Sequence, residues 1–113
     1  MTAVIEVRTY RAKPGARARL IELMREKALP LQEKLGMRVL GPFPSLEDDV
    51  TFVWLRAFPT IESRDPMKEA FYGGREWLTE LESEAMPLLD DYKATLVNDT
   101  EGLWATWPAQ SRQ

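Results

Sequence analysis

The sequence predicts an α+β fold, with one antiparallel sheet carrying helices on a single face. Three observations carry this. Two segments, Ile5–Tyr10 and Val50–Phe58, alternate side-chain character with a period of two residues. Two longer segments, Ala16–Leu35 and Trp77–Leu89, repeat apolar residues at helical spacing. Their order, with a shorter strand pattern after each helix, is strand, helix, strand, strand, helix, strand: the split βαβ or ferredoxin-like order βαββαβ.

The first strand divides sharply. Ile5, Val7 and Thr9 share one face, and Glu6, Arg8 and Tyr10 share the other. The aliphatic face suits a helix-covered core, which leaves the second face to line a semi-polar cavity. Lys13-Pro14-Gly15 ends the strand and opens a helix, because Pro near the first turn gives up an N–H that would be unpaired anyway. Within Ala16–Leu35 the apolar stripe is Leu20, Leu23, Met24, Leu31 and Leu35, and Pro30 is expected to bend the helix or split off its last turn. Gly36 fits a C-cap. Met37–Phe43 reads as the second strand, with Gly41-Pro42 marking a bulge, a twist or its end.

The polar stretch Pro44–Asp49 reads as a hairpin tip. Its run Glu47-Asp48-Asp49 lacks the spaced ligands and the glycine turn of a cation loop, so it is expected to be solvated. Val50–Phe58 repeats the division of the first strand: Phe52, Trp54, Arg56 and Phe58 on one face, Thr51, Val53, Leu55 and Ala57 on the other. Thr60 caps a short helix that Asp65-Pro66 is expected to interrupt. Phe71-Tyr72-Gly73-Gly74 reads as a joint, and Trp77, Leu78, Leu81, Ala85, Leu88 and Leu89 as a second core face that closes near Pro87. The acidic residues Glu80, Glu82 and Glu84 fit a solvated surface, with a partner surface as the other reading. Asp91–Asn98 forms the last strand. Trp104 and Trp107 in the tail are costly to leave wet, so the tail is expected to pack on this subunit or on a partner.

Composition narrows the function. A length of 113 residues fits one domain, expected over residues 1–99 with a tail at 100–113. The net charge of −3, without a basic run, is no footprint of a nucleic-acid binder. No stretch is long and apolar enough for a membrane span, and strand pattern from Val4 leaves no room for a signal peptide; cytoplasm is the expected location. The chain has no cysteine and no histidine. That removes thiolate nucleophiles, the commonest zinc and haem ligands and the imidazole base. Neither metal nor cofactor is expected, and any catalysis falls to Asp, Glu, Arg, Lys or Tyr.

The candidate site therefore comprises Glu6, Arg8 and Tyr10 with Trp54, Arg56 and Phe58, on matching faces of two strands that neighbour each other in this topology. Arg38 and Phe43 are expected to reach it from the second strand. Two readings stay open: an internal ion pair with aromatic filling, or a cavity for a planar apolar anion held by guanidinium against aromatic walls. In the second, Tyr10 donates to a developing oxyanion and Glu6 moves a proton if burial raises its pKa. The sheet face away from the helices needs a cover, most simply the sheet of a second copy.

Several runs resemble the NIPSNAP family. They are Ile5-Glu6-Val7-Arg8-Thr9-Tyr10 with the following Pro-Gly, Leu29-Pro30-Leu31, Gly36-Met37-Arg38-Val39-Leu40-Gly41, Val53-Trp54 with Phe58, and Arg64 followed by Glu76-Trp77. The resemblance covers about Val4 to Val97. It implies a dimeric α+β barrel, the fold shared with antibiotic-biosynthesis monooxygenases and muconolactone isomerases, and makes a small-molecule-binding homodimer the first expectation. A cofactor-independent monooxygenase or isomerase is the alternative. Pro42-Phe43-Pro44 and Phe58 depart from the family pattern, where an aromatic and a tyrosine are usual, and imply a drier cavity.

Overall fold

In the computed structural model, which describes residues 2–108, β1 (Val4–Ala12) is the sheet's inner strand beside β3 (Thr51–Phe58). Outside them lie β2 (Arg38–Pro44) and β4 (Leu89–Asn98), giving the antiparallel order β2-β3-β1-β4. The connection between β1 and β2 is α1 (Arg17–Leu23), a π-helical turn (Met24–Ala28) and α2 (Leu29–Lys34). The widened turn lies just before Pro30, which has no N–H to continue the regular ladder. After α3 (Ile61–Tyr72) come a second π-helical turn (Trp77–Leu81), α4 (Glu82–Ala85) and a 3₁₀ turn (Met86–Leu88). The element order is the expected βαββαβ. Among the described residues no helix is long and apolar enough to cross a membrane.

The two sheet faces have the opposite assignment from the one expected. Register pairs Glu6 with Arg56, Arg8 with Trp54 and Tyr10 with Phe52, so these side chains do share a face. That face is the one under the helices, since Arg56 bonds to Gln32 of α2 and Tyr72 of α3. The aliphatic set Val7, Thr9, Val53 and Leu55 lies on the open face, half-buried. Alternation identifies residues that share a face; it does not say which face the helices cover.

α3 is also longer than expected. Thr60 and Ser63 form a reciprocal capping box that starts it, and Pro66 sits inside rather than ending it. Pro66 is exposed, so the carbonyl it leaves unpaired can turn to water. Gly36 follows α2 with φ +100, as a C-cap requires. In the hairpin tip, Asp48 accepts from the Val50 and Thr51 amides and the Thr51 hydroxyl, which gives one member of the acidic run a turn-forming role. Glu84 on the second acidic stretch is held by Arg19 and Lys27 of the first helical layer.

The tail packs on its own subunit. Asp99 caps the turn Leu103–Thr106 by accepting from the Leu103 and Trp104 amides. The Trp107 indole donates to the Val39 carbonyl, and the Arg38 guanidinium lies 3.9 Å from the Trp104 ring centre. Residues 109–113 of the expected tail lie outside the described residues.

The bulge expected at Gly41-Pro42 is present, with the register shifting between Leu40 and Phe43. Gly41 has φ +110, and a Cβ there would lie 3.1 Å from the Trp54 Cβ and 3.1 Å from the Val53 carbonyl oxygen. Gly41→Ala is thus expected to destabilise the protein by roughly 1–3 kcal/mol in urea unfolding, with Gly15→Ala, which meets no crowding, as the milder control.

Candidate functional site

The site grows from one carboxylate. Glu6 on β1 has no solvent exposure, and its Oε1 accepts from Arg8 Nη1 at 2.6 Å and Arg56 Nε at 2.8 Å. Its Oε2 accepts from Arg64 Nε of α3 at 2.6 Å. Arg56 then reaches away from Glu6 and donates through Nη1 to the Gln32 side-chain oxygen and the Tyr72 hydroxyl, both at 3.0 Å. Arg8 Nη2 donates to the Tyr10 hydroxyl at 3.3 Å. Three rings surround the Arg8 guanidinium: Tyr92, Trp54 and Tyr10, with centres 5.2, 5.4 and 5.5 Å away.

These groups border a cavity of about 480 Å³ between sheet and helices. Arg8, Tyr10, Trp54 and Arg56 line it from the strands, as the alternation indicated. Glu6 stands behind them and does not touch the cavity. Phe58, opposite Val4 at the end of the ladder, belongs to the core and not to the lining. Arg38 and Phe43 are corrected outright. Register pairs Arg38 with Ala57 and Phe43 with Val53, which puts both on the open face, away from the cavity.

The helices supply residues that strand alternation cannot reveal. Arg64, Lys68 and Tyr72 repeat every fourth residue along α3 and line the cavity together. Gln32 lies one turn after Ala28 on the buried stripe of the first helical layer, and its amide also donates to the Ala28 carbonyl. A polar residue at a core-facing helical position was the available signal for Gln32; the four-residue repeat was the signal for the α3 set. The opposite wall is apolar, with Leu20, Leu23, Met24, Trp77 and Leu81.

The electrostatics are those of a cationic pocket. Burial alone would push the Glu6 carboxyl up, but Arg56, Arg64 and Arg8 outweigh it and hold the pKa at about 2. The condition for Glu6 as a proton carrier is not met; it stays ionised and anchors the arginines. Burial raises the Tyr10 phenol, against the opposing charge of Arg8. Burial, followed by the neighbouring charge of Arg64, lowers the Lys68 ammonium. Three buried nitrogens on lining residues have no hydrogen-bond partner among the described residues: Arg8 Nε, Arg56 Nη2 and Trp54 Nε1. The lining carries more cationic than anionic groups, which suits an anion. Among the described residues no cluster of carboxylates has the makings of a metal site.

Fold and site together define a small ferredoxin-like α+β protein with a cationic, aromatic-walled cavity beneath its helices. The chain belongs to the NIPSNAP family, whose model matches residues 5–101. Solved structures agree in fold. A NIPSNAP family protein from Agrobacterium tumefaciens superimposes with a TM-score of 0.77 at 16% identity, over 89% of each chain. A second from the same organism, described as of unknown function, gives 0.74 at 21% identity over 86% of this chain and 87% of that one. A protein from Nitrosomonas europaea, provisionally assigned as an antibiotic biosynthesis monooxygenase, gives 0.72 at 14% identity over 89% and 93%. No curated protein matches the chain in sequence.

The depressed Glu6 pKa fixes the sign of an acid dependence. With an ordinary value of 4.5 and a folded value of about 2, Glu6 stabilises the fold above about pH 4.5 and loses that contribution as pH falls toward 2. Urea midpoints are expected to drop across that window. Glu6→Gln is expected to cost on the order of 3–5 kcal/mol at neutral pH, because it leaves buried guanidinium charge uncompensated, and to flatten the acid limb.

Proposed function

We propose that this protein binds a small apolar or aromatic anion in the cavity between sheet and helices. The observation that carries the reading is the imbalance around Glu6: one carboxylate serves three arginines, while nitrogens of Arg8, Arg56 and Trp54 stay unpartnered. A bound carboxylate, enolate or phenolate supplies the missing negative charge beside the lining arginines. The wall of Leu20, Leu23, Met24 and Trp77 accepts its apolar body.

One observation favours turnover as a second reading. Tyr10 and Tyr72 each accept a hydrogen bond from an arginine, which leaves each phenol its single proton to donate. Two such donors suit an oxyanion developing on an electron-rich ring, as in cofactor-independent oxygenation or isomerisation. The fold likeness to the Nitrosomonas europaea protein is compatible with this chemistry. Turnover of a bound compound by purified protein separates the two readings.

We also propose a homodimer built through the open sheet face. Val7 lies between Leu55 and Thr95 there, and Leu40 extends the row from β2. Helices cover the other face, so a second copy's sheet is the simplest cover for this one.

Naphthoate is expected to bind the wild-type protein in calorimetry. Arg8→Met should weaken it by about tenfold or more, from the loss of a charged hydrogen-bonding group. Unchanged binding in a variant with native circular dichroism rejects the assigned role of Arg8. In light scattering at micromolar concentration the expected mass is twice the 13.0 kDa of one chain; a clean monomer rejects the dimer.

A further inference from the structure

We propose that the ligand carries two negative charges on one polar end, as a phosphate monoester or a geminal or vicinal dicarboxylate does, joined to an apolar body. The inference rests on the anion-binding reading above and specifies its ligand.

Charge counting leads to it. Arg8, Arg56, Arg64 and Lys68 all line the cavity, and each carries a formal positive charge. Against them stands Glu6, with both oxygens already engaged by arginines. Asp65 approaches Arg64 to 3.8 Å, but its side chain is 91% exposed and lies outside the lining. Crediting both carboxylates in full still leaves two positive charges unmatched. A single ligand carboxylate cancels half of that excess. A doubly charged group cancels it.

Position supports the count. Lys68 stands between Arg64 and Tyr72 on the α3 stripe, so its ammonium belongs to the same wall as the groups that engage Glu6 and Arg56. The Lys68 ammonium makes no side-chain hydrogen bond or salt bridge among the described residues, and Glu6 is the one negative charge that favours its ionised form. Two of the unpartnered donors, Arg8 Nε and Arg56 Nη2, sit on buried guanidiniums of the facing strands. The Gln32 oxygen, the lining's amide acceptor, is already taken by Arg56. The cavity is therefore bordered by cations from two walls, the strands and α3. A phosphate monoester brings three acceptor oxygens and close to two charges at neutral pH.

The test compares naphthyl phosphate with naphthoate by calorimetry on the full chain, with inorganic phosphate as the head group alone. At about pH 8 naphthyl phosphate is expected to bind about tenfold or more tightly than naphthoate, and more tightly than inorganic phosphate. At about pH 5 the phosphate keeps one charge, while Glu6 with its pKa of about 2 stays ionised; the advantage should shrink several-fold. Lys68→Met, which keeps the apolar stem, should weaken naphthyl phosphate by a larger factor than naphthoate and so remove most of the phosphate advantage. Equal affinities, or an advantage that survives both low pH and Lys68→Met, overturns the two-charge inference and leaves the anion site standing. Inorganic phosphate binding as tightly as naphthyl phosphate overturns the apolar body. Failure of every anion to bind overturns the anion site itself.

Discussion

A single buried carboxylate organises this molecule. Glu6 projects from β1, takes Arg56 from β3 and Arg64 from α3, and through Arg56 reaches Gln32 on α2 and Tyr72 at the end of α3. Sheet and both helical layers are thus joined by one polar network in addition to the apolar core. Hydrophobic contacts place helices on a sheet without fixing where they slide, whereas short directional bonds to a guanidinium define position and rotation. The interaction fixes the geometry of the cavity because each partner of Glu6 is also part of the cavity or immediately behind it.

The same network explains why the cavity persists. Filling it with aliphatic side chains would strand guanidinium groups in a dry interior, where an uncompensated charge is strongly unfavourable. The neutral partners, Tyr10, Tyr72 and Gln32, satisfy hydrogen bonds but bring no charge. What results is a space whose strand and α3 walls are cationic and donating and whose remaining wall is apolar. An amphipathic anion matches both, with its charged end against Arg8 and Arg56 and its body toward Leu23 and Trp77.

Much of this was legible in residues 5–10 and 50–58. Alternation grouped Glu6, Arg8 and Tyr10 with Trp54 and Arg56, and the βαββαβ order made the two strands neighbours. The direction of that face was not legible, since period two is symmetric with respect to the sheet. An arginine-bearing face looks more suited to a solvent-facing cavity than an aliphatic one. The internal compensation by Glu6, Gln32 and Tyr72 reverses that expectation. Arg38 was misplaced because nothing in a short strand pattern fixes its phase against β3. Arg64, Lys68 and Tyr72 were hidden for a related reason: Pro66 suggested a break through the very helix whose continuity aligns them. Its capping box and the packing of Phe71 sustain the helix across that break in hydrogen bonding.

The tail adds a constraint of another kind. It leaves the outer strand β4 at Asn98 and through Trp107 reaches Val39 on the other outer strand, β2, so its described part spans the width of the sheet. An open sheet bends easily by fanning its margins apart, and a strap fastened to both margins resists that motion. Val39 is also the register partner of Arg56. The indole of Trp107 is therefore one rung of the ladder away from the centre of the cavity's charge. A segment that looks like an appendage thus ties together both margins of the platform on which the arginines stand.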